Sequence, residues 1–139
     1  MLQPPGWGKL LHYSHRNGLS VDFMAPTGPP SVMNFFFGSL GVWHYLLAFS
    51  PAGQLTLDRN VKIDFETMGR HLLALEAAAR RNGLRIRKVI LNTRLKPQLF
   101  RTESGRILKR KGVYFALALK PAVDRAHDDH YHVDFEPLR

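Results

Sequence analysis

His130-Tyr131-His132-Val133-Asp134-Phe135, close to the end of the chain, is the stretch whose reading decides the fold. Its alternation predicts a β-strand, in which side chains two apart share a face. His130, His132 and Asp134 then point one way, and Tyr131, Val133 and Phe135 the other. The apolar face belongs on a core. The imidazole face needs another occupant, and neutral imidazole is the commonest protein ligand for zinc. By itself a His-x-His pair near a terminus is more often solvated than ligating, but His127-Asp128-Asp129 immediately upstream adds a third imidazole and two carboxylates.

Residues 12–24 form a second constellation, His12-Tyr-Ser-His15-Arg-Asn17-Gly18-Leu-Ser20-Val-Asp22-Phe-Met24. Asn17-Gly18 signals a turn, and the run after it alternates, with Ser20, Asp22 and Met24 opposing Leu19, Val21 and Phe23. A turn followed by a strand would bring His15 back beside Asp22. Five of the seven histidines fall in these two clusters near opposite ends of the chain, and each cluster adjoins a short strand carrying an acid.

Between them, 25–34 reads as a rigid surface loop rich in Pro and Gly and 35–57 as a β-meander. Asp64 is a good N-cap for a helix whose Phe65, Met68, Leu72, Leu75 and Ala79 form one apolar stripe, closed by Arg80, Arg81 and Asn82-Gly83. His71 lies just off the stripe, a structural position. Leu84–Leu91 reads as a strand and Arg94–Arg101 as a short helix with Pro97 in its first turn. Thr102–Gly105 reads as a loop, 106–111 as a basic run and Val113–Leu119 as a further strand. The expected fold is α+β: a central antiparallel sheet with a long helix on one face and the metal site on the other, in one domain over 1–139.

With 139 residues, 45% of them hydrophobic, the chain can bury a core without staples. It has no cysteine, which excludes disulfides, thiolate metal sites and cysteine nucleophiles; zinc would have to rest on His, Asp or Glu. Twenty Lys and Arg against eleven Asp and Glu, a formal +9, favour a polyanionic partner. The longest apolar stretch, Phe35 to Phe49, is too short and too interrupted for a membrane helix. No basic region followed by an apolar one opens the sequence as a secretion signal would.

His12-x-Ser14-His15-x-x-Gly18-Leu19-x-Val21-Asp22 and His127-Asp128-x-His130-x-His132-Val133 together resemble the motifs of the zinc peptidases that group lysostaphin, D-Ala-D-Ala metallopeptidases and hedgehog-type domains. The penicillin-insensitive murein endopeptidases offer the nearest pattern. The resemblance holds at both ends and fades between 30 and 120. It implies one Zn²⁺ on His15, Asp22 and His132, with His130, His127 and His12 around the catalytic water and substrate. In related carboxypeptidases the general base is an acid three residues before the last zinc histidine, the position of Asp129. His130 or His127 is also expected to donate to the oxyanion. The implied activity is hydrolysis of amide bonds in peptidoglycan cross-links, in the periplasm or outside the cell. Members of this family carry a substantial segment ahead of the first histidine, whereas His15 almost opens this sequence.

Two alternatives stand beside this expectation. One is a basic module binding nucleic acid or another polyanion through Arg80, Arg81, Arg85, Arg87 and the 106–111 run. It lacks a recognition-helix motif or an aromatic–basic platform, so no nucleic-acid partner is expected. The other is a domain of the same fold that binds zinc without catalysis.

Overall fold

A computed structural model describes residues 18–29, 39, 47–125 and 127–139. His12, His15 and His44, and most of the expected meander, lie outside the described residues. Five strands are described: β1 (Ser20–Met24), β2 (Thr27–Gly28), β3 (Lys62–Ile63), β4 (Leu84–Ile90) and β5 (His130–Pro137). Four helices accompany them: α1 (Phe65–Arg81), α2 (Lys96–Arg101), α3 (Glu103–Arg110) and α4 (Pro121–Arg125).

The fold is α+β. Its main sheet is a three-stranded antiparallel one in the order β1-β5-β4, and β2 pairs separately with β3. The strand at the chain's end is thus the middle one. In the β1–β5 pair Ser20 lies opposite Asp134, Asp22 opposite His132 and Met24 opposite His130. Facing residues of an antiparallel pair share a face, so this register alone puts Ser20, Asp22, His132 and Asp134 on one side.

Strand β4 reads Leu84-Arg-Ile86-Arg87-Lys88-Val89-Ile90, whose two adjacent charges break the alternation. A regular ladder would have turned Lys88 into the core and Val89 out of it, because a one-residue slip exchanges the faces. A β-bulge absorbs the extra residue. Ile86 pairs with Phe135, Lys88 with Asp134 and Val89 with Val133, leaving Arg87 as the additional member. Val89 is consequently fully buried, and Lys88 joins the face of His132.

Asp64 caps α1, its side chain accepting from Thr67 N, and Asn82 closes it with Gly83 at φ 73°. Met68 and Leu72 of this helix join Val89, Tyr131 and Val133 in the buried cluster. His71 Nδ1 lies 2.7 Å from the Tyr131 hydroxyl. Met68, Leu72, Val89 and Val133, each fully buried, contribute about 1.5–3 kcal/mol apiece.

Three local expectations are corrected. Within the expected 25–34 loop, Thr27–Gly28 forms a short strand paired with Lys62–Ile63. Thr102–Gly105 is not a loop: Thr102 caps α3 by accepting from Gly105 N, and Glu103 suits the first turn. Nor is Val113–Leu119 a strand. Only Phe115 bridges, in parallel to Val89. The next carbonyl, on Ala116, accepts from the Lys96 ammonium at 2.6 Å, and Leu117 is turned out to solvent, so the ladder stops.

Candidate metal and proton-transfer site

His132 is the centre of the site. Its Nδ1 lies 2.6 Å from Asp22 Oδ1 and its Nε2 lies 2.7 Å from Asp134 Oδ1. Ser20 Oγ donates to that same Asp134 oxygen at 2.6 Å, and Lys88 Nζ pairs with the other at 3.0 Å. Burial works against the Asp134 carboxylate, but hydrogen bonds from Ser20, Lys88 and His132 outweigh it and hold its pKa at about 2. Burial likewise disfavours a charged His132, yet the two flanking carboxylates prevail and raise its pKa. His132 and Asp134 are both buried.

The turn before β5 carries His127, and His130 is the first residue of the strand. The His127 and His130 rings lie 4.7 Å apart between centroids, and His127 and His132 6.4 Å apart. His127 donates from Nδ1 to the Val123 carbonyl at 2.6 Å in its neutral form. Burial lowers its pKa, the Val123 hydrogen bond only partly opposing, and His130 and His132 push the same way as burial. His130 Nδ1 faces Asp129 Oδ1 at 2.8 Å, and Asp129 is only 2% exposed. The neutral form of either ring carries its proton on Nδ1 and accepts at Nε2. The expected role of donating to an oxyanion is open to these rings only once they are protonated.

A clamp that the sequence did not reveal fixes this loop. Asp124 accepts from Thr93 N and Thr93 Oγ1, both at 2.7 Å. Asn92 Nδ2 donates to the Asp124 carbonyl and to Asp128 Oδ1. Burial, with Asp124 and Asp129 nearby, raises the Asp128 pKa against the opposing pull of Arg94. The corner after β4 thus holds the turn that presents His127 and His130. Among the described residues no buried side-chain nitrogen or oxygen lacks a hydrogen-bond partner.

The chain matches no protein-family model, no curated protein and no solved structure.

Of the expected ligands, Asp22 and His132 meet, while His15 lies outside the described residues, as does His12. Among the described residues no group of three His, Asp or Glu side chains is placed to hold a metal ion. The Asp22–His132 pair fits half of a zinc site. Donors about 2.0–2.2 Å from a tetrahedral zinc sit roughly 3.3 Å from one another, so this pair would need to open by roughly 0.7 Å. Two imidazoles and one carboxylate also form a donor set that leaves zinc an open position.

Three cations of the polyanion alternative already have acidic partners. Arg80 pairs with Glu76, and Arg85 and Arg87 with Glu136. Arg106, Lys109, Arg110 and Lys111 are exposed on and just after α3. No helix among the described residues is long and apolar enough to cross a membrane.

Proposed function

We propose that this chain is a zinc-dependent hydrolase that cuts amide bonds in peptidoglycan cross-link peptides, working in the periplasm or outside the cell, and that it is related to the zinc peptidases its two motifs resemble. The observation that carries this is the contact between Asp22 and His132, one residue from each of the two clusters at opposite ends of the sequence. His15, Asp22 and His132 would hold one Zn²⁺. When bound, the ion supplies an acidified water and a Lewis acid for the scissile carbonyl.

The other residues handle protons. His130 accepts at Nε2, with Asp129 fixing its tautomer and stabilising the imidazolium that forms. Asp129 is buried, with its Oδ1 against the His130 ring. It is assigned to positioning rather than to the role of direct base. His127, kept neutral by burial, offers a second Nε2 acceptor, and once protonated either ring can return the proton to the leaving amine. His12 is assigned to substrate contact from the motif resemblance alone.

Metal analysis of the purified protein and digestion of isolated sacculi with and without a chelator test the proposal together. The expected result is one zinc per chain and muropeptide release that stops on chelation. Absence of zinc, or release indifferent to the chelator, refutes it. Full zinc occupancy without cleavage would assign the chain to the binding-only alternative.

A further inference from the structure

The formal charge of +9 is not spread evenly along the chain. Residues 94–120 hold eight of its twenty Lys and Arg and one of its eleven acids, Glu103, so this stretch carries +7 of the +9. Ion pairing sharpens the contrast. On α1 and β4, Arg70, Arg80, Arg85, Arg87 and Lys88 each meet a carboxylate. On α2 and α3 and just beyond, Arg101, Arg106, Lys109, Arg110 and Lys111 are exposed, and among the described residues none of them has an acidic partner. Arg106, Lys109 and Arg110 recur at spacings of three and four, which gathers them on one side of α3.

From these cations the chain runs straight into an apolar segment that it does not bury. Phe115 anchors that segment: it bridges to Val89 and packs edge-on against Phe100, with ring centroids 5.0 Å apart. Lys109 Nζ stands over the same Phe100 ring, 4.7 Å from its centroid, so the cations and the apolar segment form one continuous surface. On either side of the anchor, Tyr114 is 50% exposed and Leu117 79%, the most exposed large apolar side chain among the described residues. This is not a frayed end, because the Tyr114 carbonyl accepts from Val89 N and Ala116 N donates to the Val89 carbonyl, both at 2.9 Å. A solvated charge run accounts for the Lys and Arg side chains, but not for a leucine and a tyrosine held in water beside them. A purely ionic partner would leave Leu117 unused. A surface with anionic heads above an apolar interior uses both.

We propose that α3 and the segment Tyr114–Leu117 form a docking surface for an anionic lipid membrane, the cations lying among the headgroup phosphates and the two apolar side chains entering the interface. Tyrosine suits that boundary, where its ring is covered and its hydroxyl stays wet. The docking surface is independent of the zinc site.

The test is sedimentation of the purified chain with vesicles of phosphatidylcholine alone, or of phosphatidylcholine mixed with phosphatidylglycerol, with binding to a duplex DNA oligonucleotide measured in parallel. Wild type is compared with Arg106→Gln/Arg110→Gln/Lys111→Gln, which leaves Lys109 on Phe100, and with Leu117→Ser. Wild type should bind the phosphatidylglycerol vesicles, less tightly as salt is raised, and not phosphatidylcholine alone. Each cation near an anionic surface is worth about fivefold in partitioning, so the triple variant should bind about 100-fold more weakly. Leu117→Ser should lose about fivefold or more on the vesicles and nothing on DNA. Failure of wild type to bind anionic vesicles, or undiminished binding by the triple variant, overturns the proposal. Vesicle binding that Leu117→Ser leaves unchanged overturns it too, and assigns the surface to polyanions in general. A urea midpoint checks that each variant is folded; should one not be, wild type decides, since vesicle binding that excess DNA abolishes refutes a lipid surface and binding that survives it supports one. Neither zinc nor cleavage enters this readout, so its outcome is separate from that of the sacculus digestion.

Discussion

Asp22 and His132 are 110 positions apart in the sequence and 2.6 Å apart in space, brought together because they face one another in the β1–β5 register. Both ends of the chain therefore have to be in place before either residue has its partner. Replacing His132 by Ala should remove bound zinc and leave Asp22 and Asp134 without the ring between them, a destabilisation of about 3 kcal/mol for a broken buried charge network. Asp22→Ala should also lose zinc. His130→Gln should retain zinc and lose about 10²–10⁴ in turnover, the usual worth of a general base. Zinc stoichiometry, urea denaturation and muropeptide release separate these effects, and zinc retained in His132→Ala would disprove the ligand assignment.

In the proposed hydrolase the Asn92–Thr93 corner would act only through the loop it holds. Asp124→Ala removes the carboxylate that accepts from Thr93, and should let the His127–His130 turn shift without touching Asp22 or His132. A displacement of about 1 Å at a reacting group costs up to about 10²-fold, so turnover should fall by about 10- to 100-fold at full zinc occupancy. Equal turnover in the variant would show that the clamp is structural only.

How much of this could be read from the sequence depends on the range of the pattern. The helix from Asp64 to Asn82 and the alternation of 130–135 are local, and both were legible. The face shared by His130, His132 and Asp134 followed from period two alone, as did the likeness of Ser20 and Asp22. Their convergence needed a register that no local signal encodes. Lys88 was hidden by its neighbour Arg87, because only the bulge shows which of two adjacent cations points at the site. The Asn92–Asp124 clamp joins residues 32 apart with no periodicity between them. Thr102 was misjudged because Gly105 reads as a turn residue, whereas in α3 its missing side chain is what permits a close approach.

That approach gives a prediction whose sign runs against propensity. In an exposed helix, Gly→Ala stabilises by about 0.5–1 kcal/mol. At Gly105 a Cβ would lie 1.9 Å from the Leu99 carbonyl oxygen and 2.7 Å from its carbon, both backbone atoms that cannot rotate away. Gly105→Ala should therefore destabilise by about 2 kcal/mol or more by forcing α2 and α3 apart. Gly69 on α1, whose added Cβ would meet Ser104 Cβ at 2.6 Å, should behave likewise. A raised urea midpoint for Gly105→Ala would contradict the packing of this helix pair.

His71 supplies the pH dependence most cleanly separated from the site. It lies on the apolar side of β5, edge-on to Phe23 with ring centroids 4.6 Å apart, and its Nδ1 faces the Tyr131 hydroxyl. Burial lowers its pKa below the ordinary 6.5, since a charged ring there would lose its hydration. The neutral ring accepts the Tyr131 proton, and Tyr131, itself pushed up to about 12 by burial, stays a donor throughout. Below pH 6.5 the unfolded chain takes up a proton at this histidine before the folded one does. Its contribution to stability is thus complete above 6.5 and is lost progressively as the pH falls through the lower folded value. In urea titrations between pH 7.5 and 5, the stability of His71→Gln should fall less steeply than that of wild type. Equal slopes would mean that His71 titrates as it does in the unfolded chain, and that its place against Phe23 and Tyr131 is not dry.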